Sequence, residues 1–434
     1  MGSETSPRRV SWIYSTFPIA LASGPLGTLV QLYLIDINGI NLGTIYGGLA
    51  AAIFNGVSIP AALFWGFAID RIHTRRWMIT LSYALMGLVL ISFYFDTTTG
   101  GTIARYSAFS FVSVASASPL NLLIMETETK SRWAPTFAKL SLVSSVGNVV
   151  GLVISTLWSD LLPTHLTLLF IPLGVFGVIS AGLAVSLIPD SHIVFERENV
   201  ALRRPSLFSR LLANPVFFIG VPRLSDFRRA FRGLRSSLTS YVPLFYISTI
   251  LFYFSSGLFN TSFVPSMQSV AISGQGVFEV ILAGMVVQTV AFRVAGKFIG
   301  SRPLVATSIQ GLFLRGWSYV ALGASILLVG GPLFIGPALL FYPLGAGIAF
   351  ALYYTSSNTM MFNTVQGRHP GAALGVYSAV VGIAAMAGSL ISGFISVYLG
   401  FYLTFVLAGI LLFAAVGVVA RIPRTTSVGA GAHQ

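Results

Sequence analysis

Apolar residues run along this chain in long blocks that are not interrupted by a regular polar alternation. Twelve blocks can be cut, near 11–35, 42–69, 77–95, 102–125, 134–158, 164–188, 241–265, 275–296, 304–329, 332–356, 371–396 and 401–420. Each can supply the roughly 20 apolar residues that a helix needs to cross a hydrocarbon layer about 30 Å thick. Continuous hydrophobicity without a period of two points to helices and away from a barrel. The pattern predicts an all-α integral membrane protein with twelve transmembrane helices. Spans 6 and 7 stand much farther apart than any other neighbours, so the chain divides into a six-span half at 1–189, a linker at 190–240, and a second six-span half with a short tail at 241–434.

Composition removes the soluble alternatives. Charged residues make up only 9% of the chain, against about 25% in an ordinary soluble protein. Mean hydropathy is +0.84. Glycine shows no period, which excludes a collagen-like chain, and the absence of cysteine excludes disulfides and thiolate metal sites.

Charge then orients the spans. With the N-terminus inside, all of the 25 Lys and Arg except Arg105 and Arg315 fall at or near the inner face. Arg8 and Arg9 precede span 1; Arg71, Arg75 and Arg76 follow span 2; Lys130, Arg132 and Lys139 surround the loop between spans 4 and 5. The outer loops carry Asp36, Asp96 and Asp160 and no Lys. This is the positive-inside distribution for twelve spans with both termini cytoplasmic; the short loops and the lack of appended domains suggest a plasma membrane. The distribution also accounts for the net charge of +13 without nucleic acid. Arg8 and Arg9 lead into a full-length span, so no secretory signal is expected, and the short Met1-Gly2…Ser6 match to a myristoylation pattern serves no purpose in a twelve-span chain. Trp12, Trp77, Trp133 and Trp158 are expected at the interfaces. In the linker, Phe227, Phe231 and Leu234 share one face of a possible helix ringed by Arg228, Arg229, Arg232 and Arg235. That pattern fits an amphipathic helix lying on anionic inner-leaflet lipid.

Two echoes link the halves. Gly66-Phe67-Ala68-Ile69-Asp70-Arg71 closes span 2, and Gly296-Lys297-Phe298-Ile299-Gly300-Ser301-Arg302 closes span 8. Ala138-Lys139-Leu140 with Gly147 parallels Ala373-Leu374-Gly375 with Gly382. A repeat of six spans keeps its orientation in the membrane, so the halves form a parallel repeat.

The loop after span 2 carries more. Gly66-x-x-x-Asp70-Arg71-x-x-x-Arg75-Arg76 resembles the signature of the major facilitator superfamily, with His73 where the family has an inner glycine and the basic pair one residue late. Twelve spans in two sixes and a long basic middle loop resemble that family as well. The resemblance implies a transporter without cofactors whose halves rock about a central cavity, and it implies that Gly66, Asp70, Arg71, Arg75 and Arg76 latch the halves on the inner side, echoed by Gly296, Lys297 and Arg302. Asp70 is the acid in an otherwise basic loop and suits a helix N-terminus or an arginine. Arg105-x-x-x-Phe109 matches a second signature poorly. Gly147-Asn148-Val149-Val150-Gly151 lacks the Gly-Pro pair of the proton-antiporter signature.

Ionisable groups inside a span are costly and are site candidates by default. Arg105, just inside span 4, either snorkels outward or faces the cavity and binds an anion. Arg315, near the middle of span 9 beside Trp317, reads as structural, because in the resembled family spans 3, 6, 9 and 12 support the path from outside. Glu279, on span 8, is the candidate for proton coupling. Asn121 on span 4, Asn260 on span 7, and Tyr353 and Tyr354 on span 10 are candidate cavity residues, since those spans line the cavity in the family. Pro119 and Pro343 can bend spans 4 and 10. No His-Glu-x-x-His, acid cluster or P-loop occurs, and His73, His165, His192, His369 and His433 lie in loops or the tail, so neither catalysis nor a metal is expected. The expectation is a monomeric secondary active transporter of a small neutral or anionic solute, coupled to a proton or other ion, with neither cofactor nor nucleic-acid partner. A drug/proton antiporter of the same superfamily is the alternative, and a polytopic enzyme or lipid-handling protein a more remote one.

Overall fold

The computed structural model describes residues 7–71, 75–95, 98–128, 130–162, 166–189, 242–299, 303–364 and 370–422. The 190–240 linker with its arginines, and Arg302, lie outside the described residues, among which there is no strand. Twelve spans cross the fold. Span 1 comprises the 3-10 turns Pro7–Ser15, the helix Thr16–Ser23 and residues 26–38; span 2 is 40–71. Spans 3 to 6 are Arg75–Ser92, Thr99–Thr127, Lys130–Leu161 and Phe170–Leu187. Spans 7 to 9 are Val242–Ser269, Gly274–Ile299 and Leu304–Leu328. Span 10 runs through Ile335–Tyr342, Pro343–Ala349 and Phe350–Thr364; spans 11 and 12 are Pro370–Leu399 and Phe401–Val419.

Among the described residues, ten helical stretches are long and apolar enough to cross a membrane. Spans 1 and 2 share one of them, because the chain turns between them at Gly39 (φ +73°) without a loop. Span 4, whose side chains are described only in part, is not among the ten, and it carries Ser107, Ser110, Ser113, Ser116 and Ser118. Its serines are used in packing: the Ser110 hydroxyl donates to the Phe54 carbonyl on span 2 at 2.7 Å.

Two irregularities have local causes. Span 1 breaks at Gly24-Pro25. Pro25 has no N–H for the carbonyl of Leu21, four residues back. That carbonyl lies against Gly151 of span 5, so close that a methyl group at Gly151 would fall on it. Span 10 widens into a π-helical segment at Pro343–Ala349. Gly345 there abuts Ser318 on span 9, and Gly347 abuts Val287 on span 8.

Packing repeats between the sixes. Span 1 packs on 5 and 6, span 2 on 4, and span 3 on 4 and 6; correspondingly, 7 packs on 11 and 12, 8 on 10, and 9 on 10 and 12. Close glycine contacts recur in the same places. Gly87 meets Gly174 and Gly177 between spans 3 and 6, as Gly316 meets Gly409 between spans 9 and 12. The spacing of Gly147 and Gly382 suggested equivalence, but Gly147 faces span 1 and Gly382 faces Ile59 of span 2. The contact counterparts are Gly151, on the Leu21 carbonyl, and Gly388, on the Phe254 carbonyl. Trp12 is buried at 1% exposure rather than sitting at an interface, whereas Trp77 is exposed.

The two sixes meet most extensively through spans 2 with 11 and 5 with 8, a pair related by the same repeat, and span 7 also packs on the helix Leu26–Arg71. Twelve spans put both chain ends on one face. Toward the opposite face, spans 2 and 11 pack backbone to backbone. A methyl at Gly48 would come within 2.9 Å of the Ser389 carbonyl, and one at Gly393 within 2.9 Å of the Thr44 carbonyl.

Candidate functional site

Between the sixes lies a polar cavity of about 430 Å³, in the lower part of the roughly 300–1,000 Å³ range of ligand pockets. Its lining comes from near the middles of spans 1, 2 and 4 on one side and spans 7 to 11 on the other. The break in span 1 opens it: Gly24, Gly27, Thr28 and Gln31 all face it. Small residues elsewhere (Ala51, Gly257, Ala346, Ala385) leave the space, and the amides of Gln31, Asn55, Asn260 and Gln288 give it polarity.

Among the described residues Arg315 is the sole charged residue on that lining. It is 2% exposed. Its Nε donates to the Tyr319 hydroxyl, one turn on, at 2.6 Å. Its guanidinium carbon lies 4.8 Å from the Phe252 ring centre, 5.1 Å from Phe350 and 5.3 Å from Tyr319. An arginine at mid-membrane costs on the order of 3 kcal/mol on insertion scales. Each ring contact returns about 0.5–2 kcal/mol, so three rings offset much of that cost. Nη1, however, is buried without a hydrogen-bond partner among the described residues. An unmet buried donor costs about 1–3 kcal/mol, more when charged. Gln31, on the opposite side of the cavity wall, also has a buried amide atom, Oε1, with no partner there.

Arg315, expected to be structural, packs against these rings and also lies on the cavity wall. Trp317 is 54% exposed and does not stack on it. The rings come instead from spans 7 and 10, and that meeting is a tertiary one which span 9 by itself does not signal. The signal in the sequence was the arginine in mid-span.

The residues expected at the site are distributed as follows. Asn260 lines the cavity. Tyr353 and Tyr354 stand one layer behind it: Tyr353 stacks on Phe252 at 4.0 Å and Tyr354 on Phe350 at 5.3 Å, so they support the rings around Arg315. Arg105 is half-buried and is not on the lining, although its neighbour Tyr106 is. Glu279 is off the lining as well, and its Oε1 accepts from Gln275 Nε2 at 3.0 Å. The side chain of Asn121 lies outside the described residues, as do those of Gly66, Asp70, Arg71, Gly296 and Lys297. Arg75 is buried and Arg76 half-buried where span 3 begins. Asn148 belongs to a smaller, open cavity of about 240 Å³ lined by spans 1, 3, 4 and 5. Pro119 sits within a helix that runs through it, whereas Pro343 opens the π segment.

Neither a protein-family model nor a curated protein matches the sequence. Solved structures do match in shape. A POT family transporter in complex with 5-aminolevulinic acid is similar at a TM-score of 0.69 and 13% identity, over 94% of each chain. The nucleoside transporter NupG is similar at 0.67 and 13%, over 95% of this chain and 99% of its own. A bacterial homolog of the human lysosomal transporter Spinster, inward-facing and unoccupied, is similar at 0.67 and 13%, over 96% and 97%. The fold is that of the major facilitator superfamily. A major facilitator fold is a multi-pass membrane architecture, and the helical blocks and parallel repeat agree with it. At such low identity the likeness carries the fold and leaves the cargo to the cavity's own chemistry.

Proposed function

We propose that this chain is a secondary active transporter that carries a small solute across the plasma membrane by alternating access. The observation that supports this most is the polar cavity at mid-membrane, walled by residues of both sixes. A solute bound there touches both halves, so rocking the halves about it changes the side on which it is exposed. On this reading 1–189 and 241–434 move as units joined by the 190–240 linker, both termini are cytoplasmic, and the close packing of Gly48 and Gly393 seals the outer side. The bulk of the neighbouring solutes also suits the proposal: the similar structures include transporters of nucleosides and one holding 5-aminolevulinic acid.

Neutral and anionic solutes are favoured over cations, because the lining carries Arg315 and no acid. The Gly66–Arg76 loop is the proposed latch of the outward-open form, and Glu279 the proposed proton carrier.

The test is counterflow in proteoliposomes. Vesicles preloaded with single members of a panel (sugars, organic anions, amino acids, nucleosides, hydrophobic cations) are offered trace labelled solute of the same kind. Saturable, protein-dependent accumulation of at least one panel member is expected. Failure of every member, with protein that melts cooperatively in the same lipid, would sink the carrier reading. Strong exchange confined to hydrophobic cations would favour the antiporter alternative.

A further inference from the structure

Arg315 keeps one of its guanidinium donors unused. The side chain is almost wholly buried and lies on the wall of the central cavity. Nε is committed to Tyr319, and the flat faces of the guanidinium are enclosed by Phe252, Phe350 and Tyr319. Nη1 has no hydrogen-bond partner among the described residues. Among the described residues no carboxylate lines the cavity, so the positive charge has no neutralising neighbour there. A fixed guanidinium with free in-plane donors suits a planar oxyanion better than any neutral group. The opposite half supplies Gln31, whose amide is also unmet at Oε1. Amide N and O are assigned from surroundings, so this group can present either a donor or an acceptor to a ligand.

We propose that Arg315 is the anion anchor of the cavity, and that the solute is a small organic anion. Its carboxylate or phosphate is held by Arg315 of the second six, while a hydroxyl, amide or amino group reaches Gln31 of the first. The cavity volume of about 430 Å³ confines it to a metabolite-sized molecule. One ligand then ties together a residue from each half, and neutralising the buried cation is what couples binding to the arrangement of the halves. This assignment rests on the carrier reading above and narrows it to one solute class and one recognition residue.

The experiment is a melting screen of the purified full chain in detergent at constant ionic strength. Lactate, gluconate, glutarate and glycerol phosphate are each paired with a neutral counterpart: lactamide, glucose, glutaramide and glycerol. Sodium chloride is the inorganic arm. Wild type, R315K, R315Q and Q31L are compared. At least one organic anion should raise the melting temperature of the wild type while its neutral counterpart does not. R315Q should weaken that anion about 10- to 100-fold, the range expected for losing a hydrogen bond to a charged group. R315K, which keeps the charge but not the fork, should fall between them, and Q31L should weaken the same anion by a smaller factor. If R315Q melts lower without ligand but keeps the full anion response, Arg315 is structural and the proposal fails. It also fails if chloride alone shifts the wild type, or if no organic anion does. If only neutral members shift the wild type and also exchange in counterflow, the carrier stands and the anion anchor falls. If an anion binds through Arg315 but is not exchanged, the anchor stands and the carrier reading falls.

Discussion

Single glycines determine how closely these helices approach. A methyl at Gly151 would meet the backbone carbonyl of Leu21, and the backbone cannot rotate away as a side chain could. Overpacking of this kind costs about 1–3 kcal/mol. Gly182, on the exposed side of span 6, has nothing within 4 Å of the same position. There the substitution removes only glycine's backbone freedom, a gain of up to about 1 kcal/mol. The expected outcome is that Gly151→Ala lowers the melting temperature in detergent and Gly182→Ala leaves it unchanged or raises it. Equal effects of the two would mean that the helices yield at Gly151. Both glycines stand in the sequence without any mark that separates them. Small residues at every third or fourth position suggest close packing, but only the neighbour opposite decides which of them is critical. Arg315 teaches the same lesson for charge. Its presence in mid-span was plain, and its role was not, because Phe252 and Phe350 come from other spans.

At the scale of the element, the irregular segments are the informative ones. At Gly24-Pro25 the helical hydrogen bonding of span 1 is interrupted, and residues from Gly24 onward line the cavity. Pro25→Ala would restore an N–H within reach of the Leu21 carbonyl and heal the helix, a preference worth about 3 kcal/mol in an isolated helix interior. We expect this variant to melt no lower than the wild type and to bind solute more weakly, as Thr28 and Gln31 swing off the cavity wall. Binding unchanged in a well-folded variant would detach the break from function. Proline positions were legible, but their consequences were uneven. Pro119 and Pro343 both invited a bend; Pro343 opens a π-helical segment, where Gly345 and Gly347 lie against spans 9 and 8, while Pro119 lies inside an uninterrupted helix. Pro25 is an equally readable signal in the sequence.

At the scale of the molecule, the contact between spans 2 and 11 is the natural place to bias the halves. Gly48 and Gly393 hold backbones together on the face away from the chain termini. Gly393→Leu inserts a side chain where not even a methyl fits, and should wedge the halves apart on that side. The chain has no cysteine of its own, so a single reporter at Thr28→Cys reads the change directly. An impermeant thiol reagent applied from the side opposite the termini should label it faster in the Gly393→Leu background. No change in rate would mean that the close packing at Gly393 is not a gate.

The sequence alone determined the class of molecule. Hydrophobic blocks of membrane length and the lopsided distribution of basic residues are sums over many positions, and such sums survive errors at any one of them. Twelve helices, the six-plus-six layout and the parallel repeat were therefore all legible before any contact was known, and so was the resemblance to the major facilitator superfamily. What only the tertiary structure decided is which residues meet in the middle. Cavity walls are assembled from eight spans far apart in the chain, and the rotation of each span about its axis is set by packing against its neighbours. That rotation puts Arg315 on the wall, leaves Arg105 off it, and moves Tyr353 and Tyr354 one layer back. In a membrane the hydrophobic pattern cannot supply this information, because lipid and protein interior are equally apolar, so the face a helix turns inward carries no amphipathic label.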